Sequence, residues 1–67
     1  MITLTINGRR RELESPTNLI DFLQASGVDR QFVAVAHNGE VLERESFPRI
    51  MLNEGDEVEI VQPVGGG

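Results

Sequence analysis

An alternating run that ends in Asn7-Gly8 restricts this chain more than any other stretch. Ile2, Leu4 and Ile6 fall on one side and Thr3, Thr5 and Asn7 on the other, the period of a strand buried on one face. Asn-Gly predicts a tight turn, because a type I′ turn needs positive φ at both central residues. The chain should therefore return antiparallel over residues 9–14. That return opens with Arg9-Arg10-Arg11, which reads as a solvated charged strand protecting a sheet edge rather than as a phosphate-binding cluster.

Ser15-Pro16-Thr17 breaks the strand pattern, and Thr17 or Ser15 is positioned to cap a following helix. Leu19, Ile20, Phe22 and Leu23 make one apolar stripe, with Asp21 and Gln24 off it. Gly27 is the expected residue after the helix cap, with Val28 making the accompanying apolar contact. A helix of about ten residues is too short to stand alone and must pack on the sheet. Phe32-Val33-Ala34-Val35-Ala36 reads as a central strand, a short apolar run bounded by polar residues. His37-Asn38-Gly39-Glu40 is a second turn, and Val41-Leu42 a strand stub. With no acidic or nucleophilic partner in a recognisable motif, His37 reads as an exposed turn histidine rather than a proton shuttle. The charged segment 43–49 is irregular, Phe47 tucks into the core, and Pro48 forbids a long helix there. Ile50-Met51-Leu52 is a short strand with Met51 filling the core, and Asn53-Glu54-Gly55-Asp56 is a turn. The last strand, 57–64, alternates Val58, Ile60 and Val64 against Glu57, Glu59 and Val61.

A chain of 67 residues makes one domain, burying only about 60% of the surface its unfolded form exposes, so a deep active site is not expected. One helix among strand pairs predicts an α+β roll, a mixed sheet packed on one main helix. The right-handed crossover rule lets the final strand lie parallel to the first at the sheet centre. The expected core is Ile2, Leu4, Ile6, Leu19, Phe22, Leu23, Val33, Val35, Leu52, Val58 and Ile60. The absence of cysteine excludes a disulfide scaffold and a thiolate zinc site, which points to an intracellular protein. No basic leader or long apolar run opens the chain, so neither a signal peptide nor a membrane span is expected and the location should be cytoplasmic. Net charge is -5 and every basic residue is an arginine. That balance disfavours nucleic acid and favours a basic protein partner. Asp56, Glu57 and Glu59, beside Glu54, are the candidate docking residues, against the plainer reading of a solvated face.

The chain closes on Val64-Gly65-Gly66-Gly67. Glycine lacks Cβ and can thread a narrow channel, and four extended residues reach roughly 13 Å. With no cysteine and a single histidine, the carboxylate of Gly67 becomes the group of chemical interest, one that another enzyme would activate. The glycines open no helix and so are not a phosphate loop.

These residues resemble the β-grasp, ubiquitin-like sulfur carrier proteins, most closely the thiamine-biosynthesis (ThiS-like) carriers. The resemblance covers nearly the whole chain and rests on Val33-Ala34-Val35-Ala36-His37-Asn38, on Gly55-Asp56-Glu57-Val58-Glu59-Ile60-Val61, and on the terminal glycines. The family usually shows a glycine pair; here Gly66 and Gly67 match it and Gly65 extends a flexible neck. The resemblance implies a co-substrate protein, not an enzyme, monomeric when free and binding no cofactor or metal itself. An E1-like adenylyltransferase partner would use MgATP to convert the Gly67 carboxylate to an acyl adenylate, with Val64, Gly65 and Gly66 threaded into its active site. A persulfide donor would then leave a thiocarboxylate that gives its sulfur to thiazole formation on a thiazole synthase. The molybdopterin synthase small subunit, which Pro63-Val64 resembles, is the alternative destination within the fold. Sulfur supply for transfer-RNA thiolation, or conjugation to lysines of other proteins, is a third. A plain ubiquitin-like interaction module with an idle tail is the alternative from another class.

Overall fold

The computed structural model describes residues 1–62. Strand β1 (Ile2–Ile6) and strand β2 (Arg9–Leu13) form the predicted hairpin, Ile6 opposite Arg9. Asn7 and Gly8 have φ of 51° and 79°, as a type I′ turn requires. Strand β2 stops at Leu13, one residue short of the expected end.

Strand β3 (Thr17–Asn18) is short and leads directly into helix α1 (Leu19–Ala25). Neither Ser15 nor Thr17 is the cap. Asn18 takes that position, its side-chain oxygen accepting from the Ile20 N–H at 2.8 Å while its amide donates to the Pro48 carbonyl at 2.8 Å. The amide has two hydrogen-bonding ends and so serves the helix and the distant chain together. Thr17 Oγ1 instead donates back to the Ser15 carbonyl. At the other end, the Gly27 N–H reaches the Gln24 carbonyl and the Val28 N–H the Leu23 carbonyl. Those two bonds with Gly27 at φ 75° make a Schellman motif, and Val28 packs against the core as expected.

Strand β4 (Ala34–His37) and strand β5 (Glu40–Val41) flank the second turn. A 3-10 segment, Arg44–Arg49, carries Pro48 and buries Phe47. Strand β6 (Met51–Leu52) pairs with β3, and strand β7 (Glu57–Val61) ends before Gln62, the last described residue, which therefore lies outside the strand expected over 57–64. The main sheet runs β2-β1-β7-β4-β5, with β7 central, parallel to β1 and antiparallel to β4. Helix α1 buries Leu19, Phe22 and Leu23 against one face of it. The architecture is the predicted α+β roll, a β-grasp fold.

Nine of the eleven expected core residues are buried, with Phe47 beside them, whereas Ile6 and Ile60 are half-buried at the margin. Two apolar residues depart further. Phe32 is 62% exposed and precedes β4, which starts at Ala34; Met51 is 44% exposed. Leu52, not Met51, faces inward in the two-residue β6, because strand neighbours point to opposite sides.

Candidate functional site

The readings placed on Val64, Gly65, Gly66 and Gly67 lie outside the described residues. What the structure does define is the strand that leads to them. Strand β7 lies between β1 and β4, pairing Val58 with Ile6 and Ile60 with Val35. Its inward residues Val58 and Ile60 root it in the core, so the last described residues rise from a supported strand.

The other face of β7 points away from the helix. There Glu57 lies opposite Thr5, Glu59 opposite Ala36, and Val61 opposite Ala34, while Val41 lies across from Ala36. Glu57, Glu59, Val41 and Val61 are exposed, and Thr5, Ala36, Val41, Glu57 and Glu59 line a shallow groove. Two carboxylates over a small-residue floor are chemically suited to a surface of opposite charge.

Asp56 is built differently from its acidic neighbours. Its Oδ2 lies 2.8 Å from His37 Nε2 and accepts the Asn53 N–H at 2.9 Å, and its Oδ1 accepts from Asn38 Nδ2 at 3.3 Å. Burial pushes the carboxyl pKa up. The bonds from His37, the Asn53 N–H and Asn38, together with the charge of His37, outweigh burial and hold the pKa below its ordinary value. His37 is thus not the exposed turn histidine expected: its side chain is 21% exposed and paired with Asp56. Asn38 also exchanges bonds with Glu57, its Oδ1 accepting the Glu57 N–H at 2.8 Å and its own N–H reaching the Glu57 carbonyl at 2.7 Å. The network joins the β4–β5 turn to the turn preceding β7.

The arginines of β2 lie on the sheet edge and are exposed, as expected. Arg11 also covers the seam between sheet and helix, its guanidinium 5.3 Å from the centre of the Phe22 ring. Among the described residues no group of three His, Asp or Glu side chains could hold a metal, and no helix is long and apolar enough to cross a membrane.

The sequence places Asn7 and Asn38 in turns but does not show what the asparagine side chains bond. Asn7, Asn18 and Asn38 all use their side chains on backbone far along the chain. The available signal was that Asn7 and Asn38 both precede a glycine in a turn.

The model of the ThiS family matches residues 4–67. Over 64 residues the chain is 38% identical to a thiazole synthase from Paramagnetospirillum magneticum, a match covering 96% of this chain and 20% of that protein. A thiazole synthase from Magnetococcus marinus is 34% identical over 62 residues, covering 92% of this chain and 19% of the relative. The chain therefore spans about a fifth of the length of these curated relatives. Among solved structures, the crystal structure of the thiamine biosynthesis protein ThiS from Geobacter metallireducens superposes with a TM-score of 0.83 at 38% identity. That match covers 98% of this chain and all of the other.

Proposed function

The chain belongs to the ThiS family, and on that premise we propose that it is the sulfur carrier of thiamine thiazole formation. The observation that carries the reading is the continuous family match from residue 4 through Gly67, with the same fold in a solved ThiS protein. In this scheme the Gly67 carboxylate attacks the α-phosphorus of MgATP on an adenylyltransferase, releasing pyrophosphate. The terminal sulfur of a persulfide displaces AMP from the acyl adenylate, and a thiol cleaves the resulting acyl disulfide to leave the thiocarboxylate. The domain itself supplies no catalytic group. It acts in the cytoplasm, as a free monomer between partners.

Thiazole synthase is the receiving partner. In the two bacterial relatives a segment similar to this chain is part of a much longer thiazole synthase, which supports carrier and synthase meeting in the same reaction. The groove with Glu57 and Glu59 on its rim is the proposed docking face, and Val64, Gly65 and Gly66 the threading neck. Asp56, held inward, supports that face by fixing the start of β7.

Sulfur-labelled thiocarboxylate of the chain, mixed with thiazole synthase and its other substrates, tests the destination. Label should appear in the thiazole. A synthase that is active with another carrier yet takes no label from this one, or label passing instead to a pterin in the presence of the large subunit of molybdopterin synthase, would refute it.

A further inference from the structure

The parallel ladder between β1 and β7 continues past the point where its strand ends. Backbone rungs run from the Thr5 N–H to the Asp56 carbonyl at 2.9 Å and from the Asn7 N–H to the Val58 carbonyl at 2.8 Å. The next rung would need the Asn7 carbonyl to accept the Ile60 N–H and the N–H of residue 9 to donate to the Ile60 carbonyl. The chain cannot supply it, because it reverses at Asn7-Gly8 and Arg9 returns opposite Ile6 in β2. The Asn7 side chain fills both places. Its Oδ1 accepts the Ile60 N–H at 2.7 Å and its Nδ2 donates to the Ile60 carbonyl at 3.1 Å.

We propose that Asn7 is a positioning residue for the sulfur-carrying terminus, clamping Ile60 so that β7 is held to its end at Val61. The proposal rests on the carrier reading above. Its physical basis is the entropy of threading: a root held at Ile60 leaves less conformational freedom to be given up when the chain beyond it enters a partner's pocket. Asparagine is also suited to both tasks at once, since it tolerates the positive φ of the turn better than most residues and carries a donor and an acceptor on one short side chain. Neither glycine nor aspartate combines the turn with both bonds. Glycine keeps the turn and loses both bonds; aspartate keeps the acceptor for the Ile60 N–H and loses the donor to its carbonyl.

That difference sets the test. Amide exchange in Asn7→Gly should quicken by about tenfold at Ile60, the loss of roughly one hydrogen bond, with Asn7→Asp between it and wild type and with Leu4 and Val58 unmoved. With an adenylyltransferase and MgATP, Asn7→Gly should show a KM raised a few-fold at unchanged kcat, because a freed root gives up more conformational freedom on threading while the threaded carboxylate reacts as before. Unchanged exchange at Ile60, or equal quickening at Leu4 and Val58, would overturn the clamp. A freed Ile60 with an unmoved KM, or a loss falling on kcat alone, would overturn the positioning role. Failure of wild type itself to be activated, with an adenylyltransferase active on another carrier, would instead refute the carrier reading and the positioning role with it, leaving the exchange result to decide the clamp alone.

Discussion

His37 Nε2 lies 2.8 Å from Asp56 Oδ2, a contact between residues nineteen positions apart that ties the turn after β4 to the turn before β7. The Asp56 side chain is only 13% exposed and is shared with Asn38 and the Asn53 N–H. Its pKa is depressed below the ordinary 3.8. A depressed folded-state carboxyl pKa contributes stability that is fully present above the unfolded-state value and is lost as pH falls through the folded one. Wild type should therefore lose stability below pH 3.8 more steeply than Asp56→Asn, which cannot take up that proton. Urea denaturation in steps from neutral pH downward measures it; parallel curves in the acid would contradict the assignment.

Phe47, on the 3-10 segment that packs against the helix, is fully buried, whereas Val41 on β5 is 78% exposed. Phe47→Ala should cost about 3–5 kcal/mol, and Val41→Ala should stay within about 0.5 kcal/mol. Comparable losses in chemical denaturation would show that the core is not where the structure puts it.

Gly55 sits at φ 81°, and a Cβ added there would meet nothing within 4 Å. Any cost of substitution is therefore backbone strain rather than collision. Gly55→Ala should lose about 1 kcal/mol, and Gly55→Asn less, since asparagine tolerates the left-handed region. Equal losses in thermal or urea unfolding would point to a steric cause that the geometry does not contain.

Much of this fold is legible in the residues because its signals are local. Alternation in residues 2–6 and 57–61, the Asn7-Gly8 turn, and Gly27 after the helix each depend on a few adjacent positions. What was not legible depends on residues distant in the chain. Asn18 caps the helix in preference to Ser15 and Thr17 because its amide also reaches Pro48, a bond across thirty positions. His37 looked unpartnered because Asp56 is brought to it only by the pairing of β4 with β7. Phe32 belongs to an apolar run whose pattern cannot show where pairing begins; the ladder starts at Ala34 opposite Val61. The candidate site divides in the same way: Glu57 and Glu59 follow from strand alternation, whereas the inward turn of Asp56 and the clamp by Asn7 do not.

Glu57 and Glu59 project from the face opposite the helix and contribute nothing to the core. Reversing both, Glu57→Arg with Glu59→Arg, should slow association with the activating partner by about tenfold at low ionic strength, with the difference shrinking as salt rises. Folding stability should change little. Stopped-flow association across a salt series reads this directly, and rates insensitive to the reversal would remove these carboxylates from the interface.

Sulfur loading at Gly67 is read from the intact mass of the chain after incubation with an adenylyltransferase, MgATP and a persulfide donor, beside a variant lacking Gly67. A gain equal to replacement of one oxygen by sulfur is expected, mapped to Gly67 and absent from the variant. No gain with a partner active on another carrier, or the same gain in the chain without Gly67, would contradict it.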